Sequence, residues 1–105
     1  MVNLSFDNRE GYIWYNGNIV DWRAANVHVL NHGLHYASCV FEGERAYNGK
    51  IFETEQHTTR LFKSAESLDM RIPFTENDII EAKNVLLKKN SLPNKILFII
   101  HIIFK

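Results

Sequence analysis

The sequence predicts an α+β domain, and three observations carry that prediction. Two Asn-Gly pairs lie between β-favouring runs in the first half, apolar residues fall at helical spacing from Thr54 onward, and the block Ile96 to Phe104 is almost wholly apolar. Strands followed by helices argue for an α+β domain. The expected layout is an antiparallel sheet with two hairpins, then two helices, then a C-terminal apolar strand.

Asn16-Gly17 sits between Tyr12-Ile13-Trp14-Tyr15 and Ile19-Val20, and Asn48-Gly49 between Cys39 to Tyr47 and Lys50 to Glu53. A type I′ turn needs positive φ at both central residues, which Asn and Gly tolerate best, so each pair marks a hairpin. Between them, Val27-His28-Val29 reads as a short extended piece and Asn31-His32-Gly33 as a turn into an irregular segment. From Thr54 to Met70, Leu61, Ala65 and Leu68 keep the spacing of a helix face, with Thr54 as N-cap. Pro73-Phe74 breaks the chain, and Thr75 with Asp78 starts a second helix carrying Ile79, Ala82 and Leu86. That helix ends near Asn90, before the loop Ser91-Leu92-Pro93-Asn94. Ile96 to Phe104 lacks period-2 alternation, so it can be only a strand buried on both faces, and left bare it is an aggregation hazard.

The 105 residues support one domain, and 46% hydrophobic with 23% charged residues is the balance of a globular protein. Twelve Lys plus Arg against twelve Asp plus Glu leave no net charge to attract nucleic acid or an anionic membrane. The single cysteine, Cys39, excludes an internal disulfide and fits a reducing compartment, with the cytoplasm as the default. Met1 to Glu10 lacks the apolar core of a secretion signal, and the C-terminal run is too short to span a membrane.

On the long strand, alternation puts Cys39, Phe41, Gly43, Arg45 and Tyr47 on one face and Val40, Glu42, Glu44 and Ala46 on the other. Gly43 between Phe41 and Arg45 fits either a place where a ligand approaches closely or a β-bulge with Arg45 solvated. Arg60 stands with His57, Ser64 and Ser67 in a polar stripe that could grip a phosphate, since its planar fork matches two phosphate oxygens, or could simply be solvated. His32 and His35 are a close pair without the further ligands a zinc site needs, so no metal is expected. Cys39 could be a nucleophile with His35 as base, yet a strand interior suggests a small packed residue.

Taken together, Ile13-Trp14-Tyr15-Asn16-Gly17, Val27-His28-Val29-Leu30, His32-Gly33-Leu34-His35-Tyr36, Val40-Phe41-Glu42-Gly43-Glu44-Arg45-Ala46-Tyr47 and Glu55-Gln56-His57-Thr58-Thr59-Arg60-Leu61-Phe62-Lys63-Ser64-Ala65 resemble the small domain of the branched-chain amino-acid aminotransferases of fold type IV. The likeness covers about residues 10 to 92, in order and spacing. It implies a pyridoxal 5′-phosphate enzyme whose cofactor phosphate is held by Arg60. It further implies that Phe41 and Gly43 line the pocket for the branched side chain, that Arg45 stands at its edge, and that Tyr36 reaches the neighbouring subunit's pocket, hence a homodimer. The implied substrates are leucine, isoleucine or valine with 2-oxoglutarate, giving a 2-oxo acid and glutamate.

Some positions depart from that pattern. Ala37 and Glu44 stand where the family usually has glycine and an aliphatic residue, and after Pro93 a family Tyr-Ile-Arg-Pro motif is replaced by Ile96-Leu97-Phe98-Ile99. Residues 1 to 92 therefore read as the small domain and 93 to 105 as a divergent apolar tail, expected from truncation or a reading-frame shift. The larger domain of the family carries the lysine that holds the cofactor, and Lys63, Lys83, Lys88, Lys89, Lys95 and Lys105 match no such position. No catalytic residue is assigned, and the chain alone is expected to be inactive. D-amino-acid aminotransferases and aminodeoxychorismate lyases share the fold and stay open as alternatives, as does a non-catalytic dimerisation or interaction module.

Overall fold

The computed structural model describes residues 5–90, and the backbone of residues 96–103. Both Asn-Gly pairs turn hairpins, with φ of 50° and 93° at Asn16 and Gly17 and of 51° and 77° at Asn48 and Gly49. The first joins β1 (Tyr12–Tyr15) to β2 (Asn18–Asp21) in antiparallel register. The second joins β3 (Cys39–Tyr47) to β4 (Lys50–Ile51), with Tyr47 opposite Lys50. β5 (Ile96–Ile103) pairs antiparallel along the other edge of β3, from Cys39 opposite Ile103 to Arg45 opposite Ile96. The expected C-terminal strand is therefore present. The expected loop over residues 91–94 lies outside the described residues.

The single expected sheet is instead two, β1-β2 and β4-β3-β5. A 3-10 turn at Trp22–Ala24 and the irregular stretch after it carry the chain out of the first hairpin. Val27 to Val29 is not a strand; its carbonyls are spent locally, that of His28 accepting from the Asn31 N–H at 2.9 Å and that of Val29 bonding His35 Nε2 at 2.8 Å. Asn31 then caps a short helix, α1 (His32–Tyr36), accepting from the Gly33 N–H at 2.9 Å, where the sequence suggests an irregular segment. Five residues are too few to show a period. Helix α1 ends on Ala37 in the left-handed region, φ 57° and ψ 22°.

The principal helices are α2 (Thr54–Ser67) and α3 (Glu76–Lys89). Thr54 is the first helical residue of α2, and not its N-cap. Glu53, in left-handed conformation with φ 55°, holds the cap position without a side-chain bond, and the return strand ends at Ile51, short of the expected Glu53. At α3 the expected start signal is a full capping box: Asp78 N–H donates to Thr75 Oγ1 at 3.1 Å, and Thr75 N–H to Asp78 Oδ2 at 2.9 Å.

Helix α2 lies on one face of β3, and Val40, Leu61, Ala65 and Met70 form the core there. A second cluster joins Ala46, Ile51 and Leu87. On α3 the buried line is Ile79, Lys83 and Leu87, while Ala82 and Leu86 are half-buried. Leu68 falls past the end of α2 and is exposed. The first hairpin packs on α3, where the Asn90 side chain accepts from the Tyr12 N–H at 2.8 Å and donates to the Tyr12 carbonyl at 3.0 Å. Among the described residues no helix is long and apolar enough to cross a membrane.

Candidate functional site

Burial along β3 alternates residue by residue, with Val40, Glu42, Glu44 and Ala46 inside and Cys39, Phe41, Gly43, Arg45 and Tyr47 outside. The helix-facing side thus carries two carboxylates, 5% and 2% exposed. A buried charge is tolerated only with a partner, and each glutamate has one from a helix.

Glu42 is held by α2. Arg60 donates from Nε to Glu42 Oε1 and from Nη2 to Oε2, both at 2.6 Å. His57, one turn earlier on the same helix face, donates from Nδ1 to Oε2 at 2.6 Å, the carboxylate being able only to accept. The Arg60 hydrogen bonds hold the Glu42 carboxyl down at about 2, against the desolvation that would raise it, with His57 adding to the effect. Reciprocally, Glu42 raises the Arg60 guanidinium. The two partners differ in freedom: the Glu42 side chain is 5% exposed and that of Arg60 66%. Ser64 and Ser67, the rest of the stripe, do not join them; Ser67 Oγ donates to the Ser64 carbonyl at 2.6 Å.

Glu44 is held by α3. Lys83 Nζ lies 2.9 Å from Glu44 Oε2 and donates to Thr58 Oγ1 at 2.6 Å, and Thr58 Oγ1 in turn donates to the Thr54 carbonyl at 2.6 Å. This cluster fills a core position at which the resemblance implies an aliphatic residue. Neither ion pair was anticipated. The available signal was two glutamates sharing a strand face with Val40 and Ala46, and a lysine four residues from both Ile79 and Leu87.

Phe41, Gly43 and Arg45 stand together on the outward face of β3, all exposed. Arg60 reaches the strand from the helix side, so the residues expected to hold a phosphate and those expected to line a substrate pocket lie on opposite sides of β3. A Cβ added at Gly43 would meet nothing within 4 Å. The register also shifts there, since the step from Glu42 to Glu44 is matched on β5 by the longer step from Ile100 to Leu97. Tyr36, 73% exposed, leans its ring on His32 at 4.6 Å between centroids. Cys39 is exposed and not the packed residue its strand position suggested, because it lies on the face away from the helices. His35 does not serve it; its Nε2 bonds the Val29 carbonyl at 2.8 Å. Among the described residues no three of His, Cys, Asp and Glu gather as metal ligands.

Comparison with known proteins gives a consistent result. The family described as amino-transferase class IV matches residues 39–103. A probable branched-chain-amino-acid aminotransferase of Rickettsia bellii is 50% identical over 86 residues, which are 82% of this chain and 30% of that protein. The branched-chain-amino-acid aminotransferase of Pseudomonas aeruginosa is 45% identical over 93 residues, 85% of this chain and 30% of its own length. Among solved structures, the branched-chain amino acid aminotransferase of Escherichia coli superposes with a TM-score of 0.77 at 37% identity, over 81% of this chain and 30% of that one. A second solved branched-chain amino acid aminotransferase, complexed with N-(5′-phosphopyridoxyl)-L-glutamate, superposes with a TM-score of 0.78 at 38% identity, over 82% of this chain and 30% of that one. That second enzyme is also known with pyridoxamine 5′-phosphate and with 4-methylvaleric acid. The chain spans about 30% of the length of the curated relatives just described.

Proposed function

The chain belongs to the class IV aminotransferases, in their branched-chain group, and on that footing we propose that it supplies the small-domain part of a pyridoxal 5′-phosphate-dependent transaminase acting on leucine, isoleucine or valine with 2-oxoglutarate. The observation that carries this reading is Arg60: a guanidinium fixed along one edge by a buried carboxylate, on a side chain that is 66% exposed. Its Nε and Nη2 edge is taken by Glu42, with Nη2 also 3.5 Å from His57 Nδ1, and the Nη1 end is left to meet a phosphate. The residues present therefore fit the phosphate of the cofactor.

When bound, pyridoxal phosphate would take up the amino group of one substrate and deliver it to the other. The chain's own residues bind and exclude. Arg60 holds the phosphate. Across β3 from Arg60, Phe41 supplies an apolar wall that favours a branched side chain by burial, Gly43 leaves the strand surface open to close approach, and Arg45 marks the polar edge. Tyr36, on its short helix, reaches into the neighbouring subunit's site, so the working unit is a homodimer. Lys83, the buried lysine among the described residues, is 3% exposed and committed to Glu44 and Thr58, so it is not placed to hold the cofactor. A cytoplasmic location accords with its one cysteine.

The test replaces the matching stretch of the Pseudomonas aeruginosa relative with residues 5–90 of this chain and assays amino transfer from leucine, valine and D-alanine to 2-oxoglutarate. Turnover of the branched L-amino acids is expected. Turnover of D-alanine in preference to them would assign another class IV activity.

A further inference from the structure

Glu42 and Arg60 are an unequal pair. The carboxylate is fixed by burial, by a third hydrogen bond from His57 and by its place in the middle of β3, whereas the guanidinium ends a long side chain on the outer surface of α2. In such a pair the glutamate sets where the arginine points. An arginine loses less on binding an anion when its rotamers are already restricted, so a partner that holds one edge prepares the other. The same partner also brings a negative charge near the anion, and the two effects have opposite signs.

We propose that Glu42 is a positioning residue for phosphate binding, holding the Nε and Nη2 edge of Arg60 so that the Nη1 end is presented to a phosphate monoester, with His57 locking the carboxylate. The proposal rests on Arg60 being the phosphate ligand. It assigns Glu42 a favourable contribution although it opposes the anion in charge. The geometry supports that sign: both Glu42 oxygens are already engaged by Arg60 and His57, so the guanidinium stands between carboxylate and anion. The remaining Nη1 donors need no bond to Glu42 to break before they can be used.

The experiment uses the full chain and phenyl phosphate, an aromatic phosphate monoester without an aldehyde that could react with lysines. Phenyl phosphate is titrated while the Nε–Hε resonance of Arg60 is followed by NMR, with backbone amide spectra reporting the fold of every variant. In the unchanged chain the Arg60 resonance is expected to be sharp and to shift on titration. Glu42→Asp keeps the charge but draws the carboxylate back by one methylene; it is expected to broaden the free Arg60 resonance and weaken binding about fivefold to tenfold. Glu42→Gln keeps one acceptor and is expected to weaken binding less. Tighter binding by Glu42→Gln, or unchanged binding by Glu42→Asp with the backbone spectrum intact, would overturn the positioning role and make Glu42 a competitor of the anion. Should the variants fold poorly, His57→Gln tests the same lock from the other side and is expected to weaken binding while Arg60 itself is untouched. Arg60→Gln separates the two claims. If it leaves phenyl phosphate binding unchanged, Arg60 is not the ligand and both readings fall; if it abolishes binding while the Glu42 variants bind as before, only the positioning role falls.

Discussion

The ammonium of Lys83, 3% exposed, lies 2.9 Å from Oε2 of Glu44, whose side chain is 1% exposed. The pair ties α3 to β3 through the core. Removing one member strands the other, so Lys83→Ala is expected to cost about 3–5 kcal/mol of stability, a large fraction of what a small domain has. Replacing both, as Glu44→Leu with Lys83→Met, is expected to be neutral or stabilising. Urea unfolding of the two variants checks this, and a double variant as damaged as the single one would show that the charges do more than satisfy each other.

Ala37 carries φ 57° at the C-terminus of α1, a conformation that costs a residue with a Cβ about 1–2 kcal/mol and glycine almost nothing. Ala37→Gly should therefore stabilise by about 0.5–1 kcal/mol, since glycine also loses more freedom on folding. The thermal midpoint is the readout. A fall in it would mean that the methyl group contributes packing worth more than the strain.

The side-chain amide of Asn90 pairs with both backbone groups of Tyr12, closing the open edge at the start of β1. Gly11 lies against it with φ +134°, and a Cβ there would sit 2.9 Å from Asn90 Oδ1. Asn90→Ala is expected to cost about 1–2 kcal/mol and Gly11→Ala as much or more, from lost pairing and from backbone strain respectively. Hydrogen exchange at the Tyr12 amide should quicken in both. If it stays protected in Asn90→Ala, another acceptor has replaced the side chain.

The hairpins, the bounds of β3 and the start of α3 were legible because each depends on local chemistry: Asn-Gly turns, alternation, and the Thr75 and Asp78 capping box. The division into two sheets was not. It depends on the first hairpin packing on α3 and on the residues just before it, where Trp14 and Phe74 meet edge to face at 4.9 Å between ring centroids. Alternation separated the two faces of β3 without saying which the helices cover, and Glu42 and Glu44 argued against covering theirs. Their partners lie 18 and 39 residues away in sequence, and only the fold brings Arg60 and Lys83 to them.

Glu42 gives the fold a pH dependence of definite sign. Its folded value, about 2, is below the usual carboxylate range of about 4.3, so the stabilisation is fully present above about pH 4.5 and is lost as pH falls toward 2. Because the Arg60 guanidinium is mostly in water, the loss is discounted to on the order of 1 kcal/mol. Stability measured from pH 6 down to 2 should fall less in Arg60→Gln than in the unchanged chain. An equal fall in both would place the acid sensitivity elsewhere.

The proposed role of Arg60 is to hold the phosphate of pyridoxal 5′-phosphate, and everything said of the site depends on it. Its most direct measurement is cofactor affinity, read by absorbance titration, in the hybrid that joins residues 5–90 of this chain to the remainder of the Pseudomonas aeruginosa relative. Arg60→Ala in that hybrid is expected to raise the cofactor dissociation constant by at least about tenfold with the fold unchanged. An affinity equal to that of the unsubstituted hybrid would contradict the account.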